Sequence, residues 1–284
     1  MVTKEIVVSS FKSLGIKETD SILIHSSMKS FGYVEGGAQT IIDGLKEVVC
    51  KGNLCFPALR TEKLYDAYRD WDINNTPSGV GLLSETFRTS EGVLRSDQET
   101  HSVTAFGKDA VYITSGHRTG EPRYCVYGEM CFGYNSPWQR LYELDAKVVM
   151  IGVSMMYNTF KHFVETLVVN DIMLSLSKQD YISAEKEMTH FTWLPPNLRK
   201  KPTEYTKSGK PLGVWLWLDG EQTQLEMQKL NKLKFGKCGE ADLICFNVKE
   251  FVDIMYNELR YNPRKWLEEP YYKWLEKYDT HKEN

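Results

Sequence analysis

Between Lys147 and Val153 the chain is nearly continuous in apolar side chains. A strand with one wet face alternates apolar and polar residues, so an unbroken run predicts a strand covered on both sides, and such strands belong to sheets layered between helices. The flanking segments agree. Ser21-Ile22-Leu23-Ile24-His25 reads as a short strand ending at Ser26 and Ser27, after which a loop carries Gly32, Gly36 and Gly37. From Ala38 onward, Ile41, Ile42, Leu45, Val48 and Val49 recur at the spacing of a half-buried helix. Asn53 to Pro57 is a second brief strand, closed by proline. Further on, 81–88 reads as a helix and 102–106 and 110–114 as strands, while Ser136-Pro137-Trp138 opens a helix with serine at the N-cap. Asn247, with Glu250 three residues on, predicts another helix over 247–260. The expectation is an α/β fold with a central, mostly parallel or mixed sheet flanked by helices. Beyond about Asn170 the pattern loosens, and Pro195, Pro196, Pro202 and Pro211 suggest an irregular or β-rich C-terminal elaboration within 170–245. With 284 residues, no internal repeat and no low-complexity linker, a single domain over 1–284 is expected.

Thirty-five basic against 38 acidic side chains leave a formal net charge of −3. No global positive field draws in nucleic acid or an anionic membrane, and no apolar run approaches the roughly 20 residues of a membrane span. Met1 to Ser10 lacks the apolar core of a secretory leader, so a cytoplasmic protein is expected. Cys50, Cys55, Cys125, Cys131, Cys238 and Cys245 show neither zinc-ligand spacing nor a disulfide framework, and are expected as small, semi-buried thiols with no metal.

Three constellations are candidates for chemistry. A loop rising from a strand into a helix leaves free backbone N–H groups at the helix start, so His25-Ser26-Ser27 with the glycine loop suits a phosphate or pyrophosphate; such loops also serve merely to turn. The second is Asp72 with Thr76-Pro77-Ser78, Arg95-Ser96 and Thr100-His101-Ser102. Arginine pairs naturally with phosphate and histidine acts as base or donor, while turn chemistry and a structural histidine explain the same residues. The third, Asn158-Thr159-x-x-His162-x-x-Glu165, follows directly on the apolar strand. At about 100° per residue Asn158, His162 and Glu165 fall on one narrow arc bordered by Thr159, with Phe160, Phe163, Val164 and Leu167 opposite. His162 and Glu165 can touch, and a carboxylate that orients an imidazole raises its basicity. The alternative is a solvated helix face. Position favours chemistry, because a helix that starts where an interior strand ends opens onto the crevice in which α/β proteins hold ligands.

With these motifs in place, the chain resembles the aminoglycoside 3-N-acetyltransferase family, the antibiotic N-acetyltransferases, whose fold is not GCN5-like. The resemblance rests on the run from Ile24 through His25-Ser26-Ser27 to Gly36-Gly37-Ala38, on Thr76-Pro77-Ser78, on Arg95-Ser96 with Thr100-His101-Ser102, and on Phe132-Gly133-x-x-Ser136-Pro137-Trp138. It continues through Glu143-Leu144-Asp145-x-Lys147-Val148, Asn158-Thr159-x-x-His162-x-x-Glu165 and Gly236-Lys237-x-Gly239-x-Ala241. It implies acetyl-CoA as co-substrate, held by His25, Ser26, Ser27, Met28, Phe31, Gly32, Val34, Gly36 and Gly37 together with Thr76, Arg95 and Ser96. It implies His162, Glu165 and Thr159 as the catalytic residues, and Asp72, His101 and Asn158 on the acceptor side with the 170–245 elaboration. Two departures stand out: Gln98-Glu99 replaces a usual His-Pro, and Cys131 replaces a usual proline.

The implied reaction is direct acetyl transfer to a primary amine of an amino sugar with His162 as general base, no cysteine standing beside it for a ping-pong route. The default acceptor is the 3-amine of an aminoglycoside. Acids such as Asp66, Asp70, Asp72, Glu121 and Glu129 are nearly balanced by bases, so charge does not choose between that polycation and a nucleotide-linked amino sugar of surface polysaccharide synthesis. A non-catalytic coenzyme A-binding homologue is the third reading. A monomer or homodimer is expected, with the aromatic tail from Trp266 to Tyr278 packed on its own domain or on a partner.

Overall fold

The computed structural model describes residues 1–60, 71–125, 130–191 and 217–279. In chain order the first elements are α1 (Lys4–Ser13), β1 (Ser21–Ser26), α2 (Gly37–Val48), β2 (Asn53–Pro57), α3 (Leu82–Arg88), β3 (Leu94–Arg95), β4 (Val103–Gly107), α4 (Ala110–Thr114), α5 (Pro137–Glu143) and β5 (Lys147–Ile151). There follow α6 (Phe160–Ser175), α7 (Lys178–Phe191), α8 (Gly220–Lys229), β6 (Lys234–Cys238), β7 (Ala241–Asn247), α9 (Val248–Tyr261), α10 (Pro263–Trp266) and α11 (Glu269–Tyr278). The strands form one seven-stranded sheet in the order β3-β4-β2-β1-β5-β7-β6. β2, β1 and β5 run parallel in its middle, and the outer pairs are antiparallel.

The apolar run of β5 is explained by what lies on each face. Val149 and Ile151, with Ile22 and Ile24 of β1, pack in the core that holds Phe11 of α1, Ile41 and Leu45 of α2 and Phe87 of α3. Val148 and Met150, with Leu23, pack in the other core, with Phe160 and Phe163 of α6 and Phe251 of α9. Successive strand residues point to opposite faces, so a strand between two cores must be apolar at every position. By the same alternation His25 faces the α6 side, like Leu23.

After β1 the chain goes to β2 on one side, and it returns to β5 on the other. The loops leaving Ser26 and Ile151 therefore diverge at adjacent strand ends, paired in register at those two residues, and this switch point opens a crevice. Local chemistry fixes the helices as the sequence predicts. Ser136 Oγ accepts from Gln139 N at 3.3 Å with Pro137 at the first position of α5, and Asn247 Oδ1 accepts from Glu250 N at 2.9 Å to start α9.

One expectation changes. Residues 110–114 form the helix α4 rather than a strand, because Ala110, Ile113 and Thr114 are buried at helical spacing while Val111 and Tyr112 are exposed. Within 170–245 the described residues form α7, α8 and the β6–β7 hairpin, which is part of the central sheet, β7 pairing with β5, while most of the segment 189–219 expected as irregular or β-rich lies outside the described residues. The four prolines that suggested the elaboration lie outside the described residues. The aromatic tail packs on its own chain: Trp274 Nε1 donates to Ala184 O at 3.2 Å and the Tyr278 hydroxyl to Glu187 at 2.8 Å, both on α7. Among the described residues no helix is long and apolar enough to cross a membrane, and no group of His, Cys, Asp and Glu is placed to hold a metal ion.

Candidate functional site

The loop after β1 is held from two directions. Ser27 N donates to Ile151 O at 2.9 Å, which ties the strand ends together, and Met28–Phe31 form one 3-10 turn with Phe31 buried. Val2 N donates to Tyr33 O and Glu35 N to Val2 O, so the N-terminal residues pair with the loop beside Val34. The β6–β7 turn closes the other side, Glu240 N donating to Phe31 O at 3.2 Å. Gly32 has φ 72°, a left-handed backbone that favours glycine, and a Cβ there would lie 2.7 Å from the Glu240 carboxyl, which would have to swing aside. Gly36 is the left-handed N-cap of α2 and Gly37 its first residue, with open space where a Cβ would stand. No side chain caps α2, which leaves amide groups at its start for an anion. Ser26, Ser27 and Met28 are half-buried at the same edge.

His25 is 8% exposed, and its Nε2 has no hydrogen-bond partner among the described residues. Burial, with the ammonium of Lys161 second, lowers it to about 3, so the ring is neutral.

The second constellation is put to structural use. Arg95 donates Nε to Ser102 Oγ at 3.0 Å and its remaining nitrogens to the carbonyls of Ala58 at 2.7 Å, Ile73 at 3.4 Å and Thr76, and its guanidinium lies 4.5 Å from the Trp71 ring. Ser96 Oγ accepts from Val103 N at 2.9 Å and contacts His117 Nδ1 at 2.9 Å in full burial. Asp72 folds back to accept from Asn74 N and Asn75 N, while Thr76 Oγ1 accepts from Asp72 N at 2.8 Å. These contacts stitch the backbone of a turn to β3 and β4. His101 is buried, its Nδ1 2.9 Å from Thr100 Oγ1 and its ring 4.9 Å from that of Phe132. Behind it the two departures from the family pattern meet: Gln98 Nε2 donates to Cys131 Sγ at 3.3 Å. Asp66, Asp70 and Glu129 lie outside the described residues.

The third constellation sits at the switch point, and α6 is no solvated face. Asn158 is fully buried, its Oδ1 accepting from Phe160 N at 3.1 Å; its Nδ2 is without a partner among the described residues. Thr159 is the buried N-cap, its carbonyl accepting from His162 N at 3.0 Å. His162 Nδ1 lies 2.8 Å from Glu165 Oε2, with the His162 side chain 16% and the Glu165 side chain 0% exposed. The other carboxyl oxygen, Oε1, accepts from Leu218 N at 2.7 Å. Burial holds the Glu165 carboxyl well above the ordinary carboxylate range, against the Leu218 amide and Lys161, which lower it. With Nδ1 as donor to Glu165, Nε2 is the acceptor nitrogen of the ring. Burial first, and Lys161 second, hold His162 well below the ordinary imidazole range.

Sequence reasoning missed Lys161, Trp217 and Leu218. The Trp217 ring stacks 5.3 Å from that of His162 and 5.2 Å from Lys161 Nζ. A signal for Lys161 existed, since Lys161, Val164 and Val168 fall on one apolar stripe at helical spacing. Leu218 gave none, because its amide meets Glu165 across 53 residues of sequence.

Residues 23–260 match the family model described as aminoglycoside 3-N-acetyltransferase. The SPbeta prophage-derived aminoglycoside N(3')-acetyltransferase-like protein YokD of Bacillus subtilis is 29% identical over 184 residues, 57% of this chain and 64% of that protein. Aminoglycoside N(3)-acetyltransferase III of a Salmonella species is 27% identical over 184 residues, 59% of this chain and 61% of its own length. The chain thus spans less than two thirds of either relative. The structure of AAC-IIIb in binary complex with CoASH shares the fold, with a TM-score of 0.67 at 19% identity over 93% of this chain and 97% of that one. On a match that covers most of its length, the chain belongs to the aminoglycoside 3-N-acetyltransferase family.

Proposed function

We propose that this chain moves an acetyl group from acetyl-CoA directly to a primary amine of an amino sugar, by default the 3-amine of an aminoglycoside, with His162 as general base. The observation that carries the reading is the buried His162–Glu165 contact of 2.8 Å at the mouth of the β1–β5 crevice. An amino sugar is largely protonated near neutral pH, so attack needs a base whose own pKa does not exceed the working pH. The ammonium first gives one proton to solvent; His162 Nε2 takes a second as the neutral nitrogen forms its bond to the thioester carbon, the tetrahedral intermediate then breaks its C–S bond, and the imidazolium returns that second proton to the departing thiolate, which leaves as the thiol. Glu165 keeps the Nδ1–H tautomer and stabilises the imidazolium, contributions that together reach about 10²- to 10⁴-fold. The open amides at the start of α2 and the half-buried Ser26 and Ser27 are the groups that would receive coenzyme A.

Thiol release from acetyl-CoA, followed with a panel of kanamycin-type aminoglycosides, nucleotide-linked amino sugars and simple amines, tests the reading. Release that depends on an amino sugar supports it and names the acceptor. Coenzyme A binding with no amine-dependent release from any of them would leave a binding protein instead.

A further inference from the structure

The reaction just described leaves one buried charge unexplained. Lys161, the second residue of α6, is 1% exposed. Taking an ammonium out of water is costly unless fixed partners receive it. Its Nζ donates to Met156 O at 2.8 Å, lies 3.8 Å from Met156 Sδ, and faces the Trp217 ring at 5.2 Å. The same indole lies 5.3 Å from the imidazole of His162, so one side chain packs against both the ammonium and the base. Beside the larger effect of burial, the charge of Lys161 lowers His162 and Glu165 on its own helix and His25 on β1.

A buried carboxylate attracts a cation, and beside Glu165 the nearest group able to become one is His162. A base that is already protonated accepts nothing. If a fixed positive charge stands close by, a second one on the imidazole is opposed, and the pair rests as carboxylate and neutral ring. We propose that Lys161 is a positioning residue for the general base: its immobilised ammonium supplies a positive charge to accompany Glu165, so that the imidazole of His162 is kept unprotonated. This rests on the reading of His162 as the base. Among the described residues, the other titratable and charged groups near the ring have partners of their own or are neutral. From β1, His25 is neutral. From the segment before α8, Leu218 offers an amide and Asp219 is occupied capping Glu221 N and Gln222 N. From 121–125, Arg123 donates to Phe132 O at 2.9 Å and stands 5.6 Å from the Phe163 ring, and Cys125 accepts from Thr166 Oγ1 at 3.5 Å.

The test needs no acceptor. The imidazole nitrogens of His162 are titrated by ¹⁵N NMR in the whole protein, its signals being identified by their loss in His162→Gln. In the wild type the ring is expected as the neutral Nδ1–H tautomer to below pH 6; a wild-type midpoint at or above the ordinary value of about 6.5 overturns the inference without any variant. Lys161→Met, with native circular dichroism, should raise the midpoint by at least one pH unit, and Lys161→Arg should restore it. An unmoved midpoint in folded Lys161→Met overturns the inference. The base reading fails separately, through undiminished turnover in His162→Ala, which leaves the titration untouched.

Discussion

Glu165 has two jobs in one buried carboxylate, and a single substitution separates them. In Glu165→Gln one terminal atom becomes an NH₂ group, which must face either Nδ1–H of His162 or the Leu218 N–H, donor against donor. Leaving a buried donor unsatisfied costs about 1–3 kcal/mol, to be seen as a lower urea midpoint, and the turnover should fall by roughly 10²-fold or more as the tautomer is lost. An unchanged rate would remove Glu165 from the mechanism. The contact with His162 was legible because three residues along a helix is a short-range rule; the contact with Leu218 was not, because only the folded chain brings it near. Gln98 and Cys131 teach the same lesson. Each reads alone as a departure from the family, and their 3.3 Å contact shows them as one packing unit behind His101.

At the scale of elements, periodicity located the helix after β5 but not its surroundings. A polar arc of Asn158, His162 and Glu165 fits a solvated face as well as a site, and what distinguishes them is the segment carrying Trp217 and Leu218 that covers it. Residues 110–114 were misread for a related reason: five residues are too few to separate a short helix from a strand, and burial at Ala110, Ile113 and Thr114 decides. The β6–β7 turn makes a prediction of its own. Gly239 has φ 61°, and a Cβ would fall 2.6 Å from Phe31 O and 2.3 Å from Val2 Cγ2, so Gly239→Ala pushes on the loop that starts at Ser26. The left-handed backbone costs roughly 1–2 kcal/mol of stability, and the displaced loop should raise the KM for acetyl-CoA severalfold with little change in kcat. A variant with normal KM would show that the hairpin does not set the loop.

The whole molecule carries an acid-sensitive interior. His25 at about 3 and His117 at about 4 are both lowered chiefly by burial, from an ordinary value of 6.5. Their folded values lie below the unfolded one, so the unfolded chain binds more protons between them, and the stabilisation present above pH 6.5 is lost as pH falls toward the folded values. Each group contributes a slope of about 1.4 kcal/mol per pH unit, so urea unfolding should show stability dropping steeply from pH 6.5 to pH 5; a flat profile would place these rings in contact with water. The layered α/β architecture was legible from the apolar run at β5 and the glycine loop after β1, whereas the antiparallel outer strands were not, since pairing partners far apart leave no periodic trace. At this scale the proposed function assigns the crevice, the loop and α6 to one event, proton removal by His162 beside a bound thioester. The measurement that reaches it most directly is turnover of His162→Ala with saturating acetyl-CoA and amine, beside calorimetric binding of coenzyme A to the same protein. The account predicts a rate lower by about 10²-fold or more with coenzyme A affinity unchanged, and a variant that turns over at the wild-type rate would contradict it.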